Sequence, residues 1–213
     1  MSPGPYLLVM VEGPSEWPEH VDRAGVVRSI VTEVFGEEVA RATRPQYWAH
    51  VPVSPLRNAG KSTLTRDAER VCQVLRLADA MTAYGAIIVR DNDGPGKDRL
   101  SEARAGLAAS GVAHRAAIGV ARQMIEAWLL ADAELLKEPL PAGKAPEDLW
   151  GDKKDPMSNY PKHVLRRCCL TPRNWEHEKA IAAWSPARAR VRAPSLDDFT
   201  REVESLADRQ RAR

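Results

Sequence analysis

The run YLLVMVEG at residues 6–13 gives the first indication of the fold of this chain. Its leading residues are apolar, and an acid, Glu12, and a glycine end it. Short apolar runs that contain β-branched residues are typical of strands buried on both faces of a parallel sheet. A second run, AIIVRDNDG at residues 86–94, repeats the arrangement, with Asp91 and Asp93 after its apolar part. We therefore expect two buried strands, each of which ends at acidic residues.

Glu12, Asp91 and Asp93 are the main candidate functional residues. In open parallel α/β sheets, sites form outside the carboxyl ends of the strands. If the two strands are neighbours, the three carboxylates converge at one edge of the sheet, where they repel one another unless a cation holds them. Hard oxygen ligands of this kind suit Mg²⁺ or Mn²⁺. The sequence thus predicts a divalent-metal site at these three residues.

Length and composition are ordinary for a soluble globular protein. The 213 residues are 44% hydrophobic and 28% charged, which suffices for one α/β domain with a small appendage. The net charge of +2 does not indicate a nucleic-acid binder, so any basic surface must be local. The three cysteines fit neither a disulfide framework nor a zinc site, which favours a cytoplasmic location. We expect no signal peptide and no membrane span.

Strands and helices are expected to alternate along the chain. The spacing of Val26, Ile30 and Val34 predicts a helix that ends at Gly36. The further elements expected are a strand over 47–53, a helix capped near Ser62 or Thr63, a strand over 85–90, a helix over 98–110, a strand over 116–120 and a helix over 124–133. This order predicts a doubly wound, Rossmann-like α/β core with a parallel sheet over residues 1–133. A mostly helical extension is expected over residues 134–213.

The acidic motifs together resemble a known family. The stretches VEGPSE at 11–16 and DNDG at 91–94 are similar to the Toprim domain, the metal-binding module of topoisomerases, bacterial primases and OLD-type nucleases. The run QMIEAWLLAD at 123–132 narrows the resemblance to small, stand-alone Toprim-like proteins. The resemblance implies that Glu12 is an acid/base or metal ligand and that Asp91 and Asp93 hold Mg²⁺. It also implies a lysine at position 157, where this chain has Met157.

Other acids accompany these motifs. Glu126 lies in an apolar run, and because a buried carboxylate needs a partner or a metal, we expect it to face the acidic site as a ligand, catalytic or orienting group. A buried salt bridge is the alternative for Glu126. Asp132 is expected to face solvent or to cap the helix end. Glu16 is expected to be a helix-start acid, with a role in the site as the alternative, and Ser15 is expected to cap that helix.

Two basic segments are candidate phosphate contacts. Residues 57–66 place three cations near a helix N-terminus, which favours phosphate, although a solvated loop is an equal alternative. A Walker A loop is rejected there because Pro55 stands where the pattern needs glycine. Residues 162–192 contain eight cations and two acids, which indicates a phosphate-backbone track or a solvated helix face. The residues expected to contact nucleic acid are Lys61, Arg66, Lys162, Arg166, Arg167 and Arg173.

The sequence therefore predicts a Mg²⁺- or Mn²⁺-dependent phosphodiesterase that acts on nucleic acid, with DNA favoured. Glu12 and Glu126 are its expected catalytic residues, and the family resemblance suggests a place in antiphage or mobile-element defence. One alternative is a non-catalytic Toprim-like partner of a separate ATPase. The other is a Mn²⁺-dependent Asp-x-Asp nucleotide-sugar transferase, in which Glu12 would have no assigned role. No membrane partner is expected, and a homo-oligomer is left open.

Overall fold

In the part of the chain that the structure describes, four parallel strands form a central sheet. The computed structural model describes residues 6–18, 20, 23–53, 63–92, 97–112, 115–136, 140, 144–149, 161–168 and 177–212. The strands are β1 Leu7–Val11, β2 Arg44–Tyr47, β3 Gly85–Asp91 and β4 Ala116–Ala121. They lie in the order β2-β1-β3-β4, with Leu8 of β1 opposite Arg44 on one side and Ala86 on the other. The parallel α/β fold predicted from the sequence is confirmed.

Helices occupy the connections and the C-terminal part of the chain. They are α1 Val26–Phe35, α2 Glu37–Ala42, α3 Arg66–Ala80, α4 Arg99–Ser110, α5 Ile125–Leu130, α6 Pro161–Cys168, α7 His177–Ala183, α8 Pro186–Ala189 and α9 Pro194–Arg211. Short 3-10 turns lie at Trp48–His50, Ala133–Leu135 and Pro146–Asp148. Helices therefore follow each of the four strands, as a wound α/β sheet requires.

Both faces of the sheet are covered because the central strands are apolar on both sides. Leu7, Val9 and Val11 of β1 lie on one face, with α1, α5 and α9, which we call the α1 face. Leu8 and Met10 lie on the other face, with α3 and α4, which we call the α3 face. All five residues of β1 are buried. The continuous apolar run, rather than an alternating one, is thus explained by burial on both sides.

The C-terminal helix α9 packs against the edge strand β4 and against α1. Phe199 of α9 stacks on Trp128 of α5, with 5.6 Å between the ring centroids. A Cβ atom at Gly119 of β4 would lie 2.6 Å from the Phe199 ring, so this close approach needs glycine. The larger apolar cluster consequently continues from the sheet into α9.

The second strand differs from the prediction. It was expected over 47–53, but β2 spans Arg44–Tyr47 and a 3-10 turn follows. Because β2 lies at the edge of the sheet, it tolerates polar residues and Pro45. A search of the sequence for apolar runs therefore does not detect this strand. Trp48 instead turns its indole inward and donates a hydrogen bond of 2.8 Å to the Val89 carbonyl of β3.

The helix end predicted at Gly36 and the one predicted after residue 110, which falls at Gly111, are confirmed. Both glycines have positive φ angles, +89° and +76°, which side chains with a Cβ rarely adopt. The helix predicted up to residue 133 is shorter than expected, because α5 ends at Leu130 and a turn follows. The predicted start of the second long helix near Ser62 or Thr63 is also wrong, since Thr65 caps α3 by accepting from the Ala68 N–H at 3.3 Å.

Ser15 does not cap the first helix, because α1 begins at Val26 after Gly25. The turn at residues 14–16 nevertheless docks on this helix start. The carbonyls of Ser15 and Glu16 accept hydrogen bonds from the first two N–H groups of α1, at 3.1 Å each. Backbone carbonyls of a distant turn thus take the place of the expected side-chain cap and fix the position of Glu16.

Candidate active site

The carboxyl ends of β1 and β3 meet at the switch point of the sheet. The chain passes from β1 to β2 on one side and from β3 to β4 on the other. Crevices at such points are the usual ligand sites of open α/β sheets. Glu12 is the first residue after β1 and Asp91 is the last residue of β3. The fold therefore brings these two predicted site residues together, while Asp93 lies outside the described residues.

Glu12 and Asp91 are joined through the backbone of β3. The Asp91 N–H donates to Glu12 Oε1 at 3.3 Å, and Arg90 Nε lies 3.5 Å from the same oxygen. The Asp91 carboxylate is directed elsewhere, because its Oδ1 accepts a 2.8 Å hydrogen bond from the Ile125 N–H at the start of α5. Glu12 is the accessible member of the pair, with a side chain that is 34% exposed.

Two further carboxyl groups complete an acid cluster, which we define as Glu12, Glu16, Asp91 and Glu126. Glu16 and Glu126 are each only 5% exposed. Glu16 accepts hydrogen bonds from the Gly13 N–H and from Ser15 Oγ, the latter at 3.0 Å. Glu126 is the second residue of α5, directly after the N–H group that binds Asp91. Its charge acts on both Asp91 and Glu16.

Burial and mutual repulsion perturb this cluster. Burial raises the pKa of Asp91 well above its usual range, and the charges of Glu12, Glu126 and Glu16 raise it further. Burial also raises the pKa of Glu16 to about 7, with smaller contributions from Glu12 and Glu126. The groups that oppose these shifts are neutral donors, the N–H of Ile125 for Asp91 and the groups of Gly13 and Ser15 for Glu16. Near neutral pH the cluster is therefore suited to take up a proton or a cation.

The donor chemistry fits a hard divalent ion, since the cluster offers carboxylate oxygens. Within the described stretches, no three acidic, histidine or cysteine side chains are placed to hold one ion. Of the predicted ligands Glu12, Asp91 and Asp93, only the first two fall in those stretches. A third ligand for a metal here, for which Asp93 is the candidate from the sequence, would have to come from outside those stretches.

A second group of charged side chains lies beside Glu12 on the α3 face. The Arg90 guanidinium lies 4.4 Å from the ring centroid of Trp48, and its Nη1 atom is 3.1 Å from Asp67 Oδ2. Arg99 Nη1 lies 2.6 Å from that same oxygen. Reasoning from sequence missed this arginine group. A cation inside the apolar strand β3 was the available signal for Arg90, whereas nothing in the sequence around Asp67 indicates its partners.

The predicted nucleic-acid contacts are described only in part. Arg66 is exposed at the first position of α3, and on α6 Arg166 is exposed while Lys162 is half-buried. Lys61 and Arg173 lie outside the described residues, as does the side chain of Arg167. The cation surplus over 162–192 is reduced because two of its arginines are ion-paired with acids from outside that segment. These pairs are Arg188 with Asp132 and Glu134, and Arg190 with Asp197 and Glu204.

The expectation that Asp132 faces solvent is wrong. Its side chain is fully buried, and it accepts hydrogen bonds from Arg188 Nε and Nη2 at 2.8 and 2.7 Å. The Ser185 N–H adds a third bond at 2.9 Å. Asp132 also accepts from the Glu134 N–H, so it does cap the 3-10 turn that follows α5. Asp132 therefore ties α5 to the start of α8.

Comparison with protein-family models, curated proteins and solved structures finds no match for this chain. Among the helices described, none is long and apolar enough to cross a membrane. The function must therefore be inferred from the chemistry of the site.

Proposed function

We propose that this protein is a metal-dependent phosphodiesterase that acts on nucleic acid through a Toprim-like site. The observation that supports this most is the acid cluster, which holds carboxyl groups of raised pKa at the switch point of the sheet. Buried carboxylates that serve the fold are usually paired with cations. Groups with strongly perturbed pKa values at a crevice are instead candidates for function.

In this proposal Asp91 and Asp93 hold Mg²⁺ or Mn²⁺, with Glu12 beside them. The bound ion would polarise a phosphoryl oxygen and orient the attacking water. Glu12 is exposed enough to meet substrate, so it is the group that would move a proton at the attacking or leaving oxygen. Glu126 is too deeply buried to reach substrate, which favours a role in binding the metal or orienting Asp91.

The substrate and setting are part of the same proposal. A phosphodiester backbone, with DNA favoured, would lie across the carboxyl edge of the sheet and extend toward exposed cations such as Arg66 and Arg166. A defence role in the cytoplasm follows from the sequence resemblance and from cysteine usage, which includes the buried free thiol of Cys72.

Cleavage assays with DNA and RNA, single- and double-stranded, in Mg²⁺ and in Mn²⁺ test the proposal. Glu12→Gln should reduce cleavage by at least about 10²-fold, the scale of a general acid/base contribution, while the protein stays folded. Glu38→Gln on α2 is the matched control, because Glu38 is exposed and away from the sheet edge, and it should cut as the parent does. Metal binding without any cleavage would instead favour a non-catalytic partner of an ATPase. Turnover of a nucleotide sugar would favour the transferase.

A further inference from the structure

Arg90 occupies the boundary between the acid cluster and the α3 face. Residues of a strand alternate between its faces, so Asp91 is directed toward the α1 face and Arg90 toward the α3 face. Glu12 lies between them, because its Oε1 atom is 3.3 Å from the Asp91 nitrogen and 3.5 Å from Arg90 Nε. Arg90 thus places a cation directly beside the accessible carboxylate of the site.

The Arg90 guanidinium is held from two further sides. Its central carbon lies over the Trp48 ring, and the Trp48 indole N–H donates a hydrogen bond to the β3 carbonyl of Val89. Its Nη1 atom lies 3.1 Å from Asp67, a residue whose side chain is only 8% exposed. An arginine that is stacked and ion-paired loses little further freedom when it orients another group.

The burial of its side-chain nitrogen atoms limits which groups Arg90 can contact. Its Nε and Nη1 atoms are shielded from solvent and make no hydrogen bond of good geometry within the described part of the chain. Atoms without solvent access cannot contact a phosphate that arrives from solution. They can act on Glu12, whose Oε1 atom lies 3.5 Å from Arg90 Nε.

We propose that Arg90 is a positioning residue that fixes the Glu12 carboxylate at the carboxyl edge of the sheet, and that Asp67 and Trp48 hold Arg90 for this purpose. This inference rests on the proposed function for its consequence in catalysis. The contact between Arg90 and Glu12 does not depend on it.

The first experiment is a double-mutant cycle in denaturant unfolding with Glu12→Gln, Arg90→Gln and the double variant. Their effects on the unfolding equilibrium constant should be non-additive by about fivefold, the scale of a partly buried ion pair. Arg115→Gln is the control, because Arg115 is similarly buried and paired with Asp79 at 2.8 Å, but at the amino end of the sheet. In the double variant with Glu12→Gln, the effects of the two substitutions on the unfolding equilibrium constant should be additive, within about twofold. Additive effects for Arg90 and Glu12 would overturn the proposal.

The second experiment measures cleavage and Mn²⁺ affinity in the same variants. Arg90→Gln should lower kcat by about 10²-fold with little change in KM, because a misplaced acid/base affects the transition state. Its Mn²⁺ affinity should be unchanged or higher, since a cation near the acids has been removed, whereas a merely misfolded site would lose metal. Arg90→Lys keeps the charge but not the planar fork, so it should recover part of the coupling and little of kcat.

The outcomes separate the two proposals. Coupling with an unchanged kcat would show that Arg90 does not position Glu12 for catalysis. Coupling in a protein that cuts none of the substrates would refute the nuclease and leave Arg90 as the residue that orients Glu12.

Discussion

Asp91 is half-buried and Asp132 is fully buried, and the surroundings of these two aspartates differ. Burial alone would raise the pKa of Asp132, yet the hydrogen bonds from the Arg188 guanidinium and from the Ser185 N–H hold it below its usual range. At Asp91, burial raises the pKa well above the usual range, and neighbouring carboxylates add to the rise. The hydrogen bond from the Ile125 N–H does not offset them.

This contrast separates two uses of a buried carboxylate. Asp132 is compensated by a cation, and it links α5 to α8. In the acid cluster around Asp91 the carboxylates repel one another, and burial together with this repulsion raises the pKa of Asp91 and of Glu16. Such an arrangement costs free energy in the absence of a ligand, and a divalent cation would relieve it. The following predictions test whether Asp91 and Asp132 differ in this way.

The largest expected effect is on metal binding. Replacing Asp91 and Asp93 together with Asn should weaken Mn²⁺ binding by more than about 10²-fold, because hard cations bind mainly through carboxylate charge. Calorimetric titration of Mn²⁺ measures this. Asp132→Asn is the control and should bind as the parent does. Equal Mn²⁺ affinity of the parent and the double variant would show that Asp91 does not bind the metal.

The second prediction concerns pH. A carboxyl whose folded pKa exceeds its unfolded value binds protons more tightly when folded, so the free energy of unfolding falls as pH rises between the two values. For Glu16 this window runs from 4.5 to about 7. Without divalent metal, Glu16→Gln should therefore gain stability over the parent across this window, by up to about 3 kcal/mol. Urea unfolding of both proteins in EDTA between pH 4.5 and 8 measures the difference, and parallel curves would contradict the burial of a titrating Glu16.

The third prediction compares the two aspartates directly. Asp132→Asn should lower the free energy of unfolding by about 2 kcal/mol, because charge-assisted hydrogen bonds to Arg188 are lost. Asp91→Asn should cost nothing or stabilise the metal-free protein, since a neutral amide still accepts from Ile125 and no longer repels the other acids. Denaturant unfolding at pH 7.5 measures both effects. A larger loss of stability for Asp91→Asn than for Asp132→Asn would show that Asp91 is the structural residue.

The smallest expected effects are at the surface. Arg166→Gln should lower the slope of log affinity against log salt by about 0.7 to 0.9 if Arg166 contacts one phosphate. Arg201→Gln on α9 is the control, because Arg201 is exposed, pairs with Asp197 and is not among the predicted phosphate contacts. Fluorescence anisotropy with a DNA duplex measures both slopes. An unchanged slope for Arg166→Gln would show that Arg166 does not contact phosphate and that α6 is a solvated helix.

The central strands β1 and β3 were predictable because they are apolar on both faces, and in the sequence an acid and then a glycine follow each apolar run. The edge strand β2 was not predicted at its observed place, because its residues are mostly polar and include Pro45, so that it contains no apolar run. Glu16 was expected to be a helix-start acid, with a role in the site as the alternative. Its observed place depends on carbonyls of its turn that accept from α1, and these residues are ten or more positions apart. The pairing of Arg90 with Asp67 spans 23 positions, and no local pattern encodes such a contact.

A crystal structure of the protein soaked in Mn²⁺ tests the metal-binding claim most directly. Anomalous scattering locates the ion independently of any activity or substrate. We predict an ion at the carboxyl edge of the sheet, bound by Asp91 and Asp93 with Glu12 beside it. A structure in which these carboxylates bind no ion at a saturating Mn²⁺ concentration, or in which the ion binds elsewhere, would contradict it.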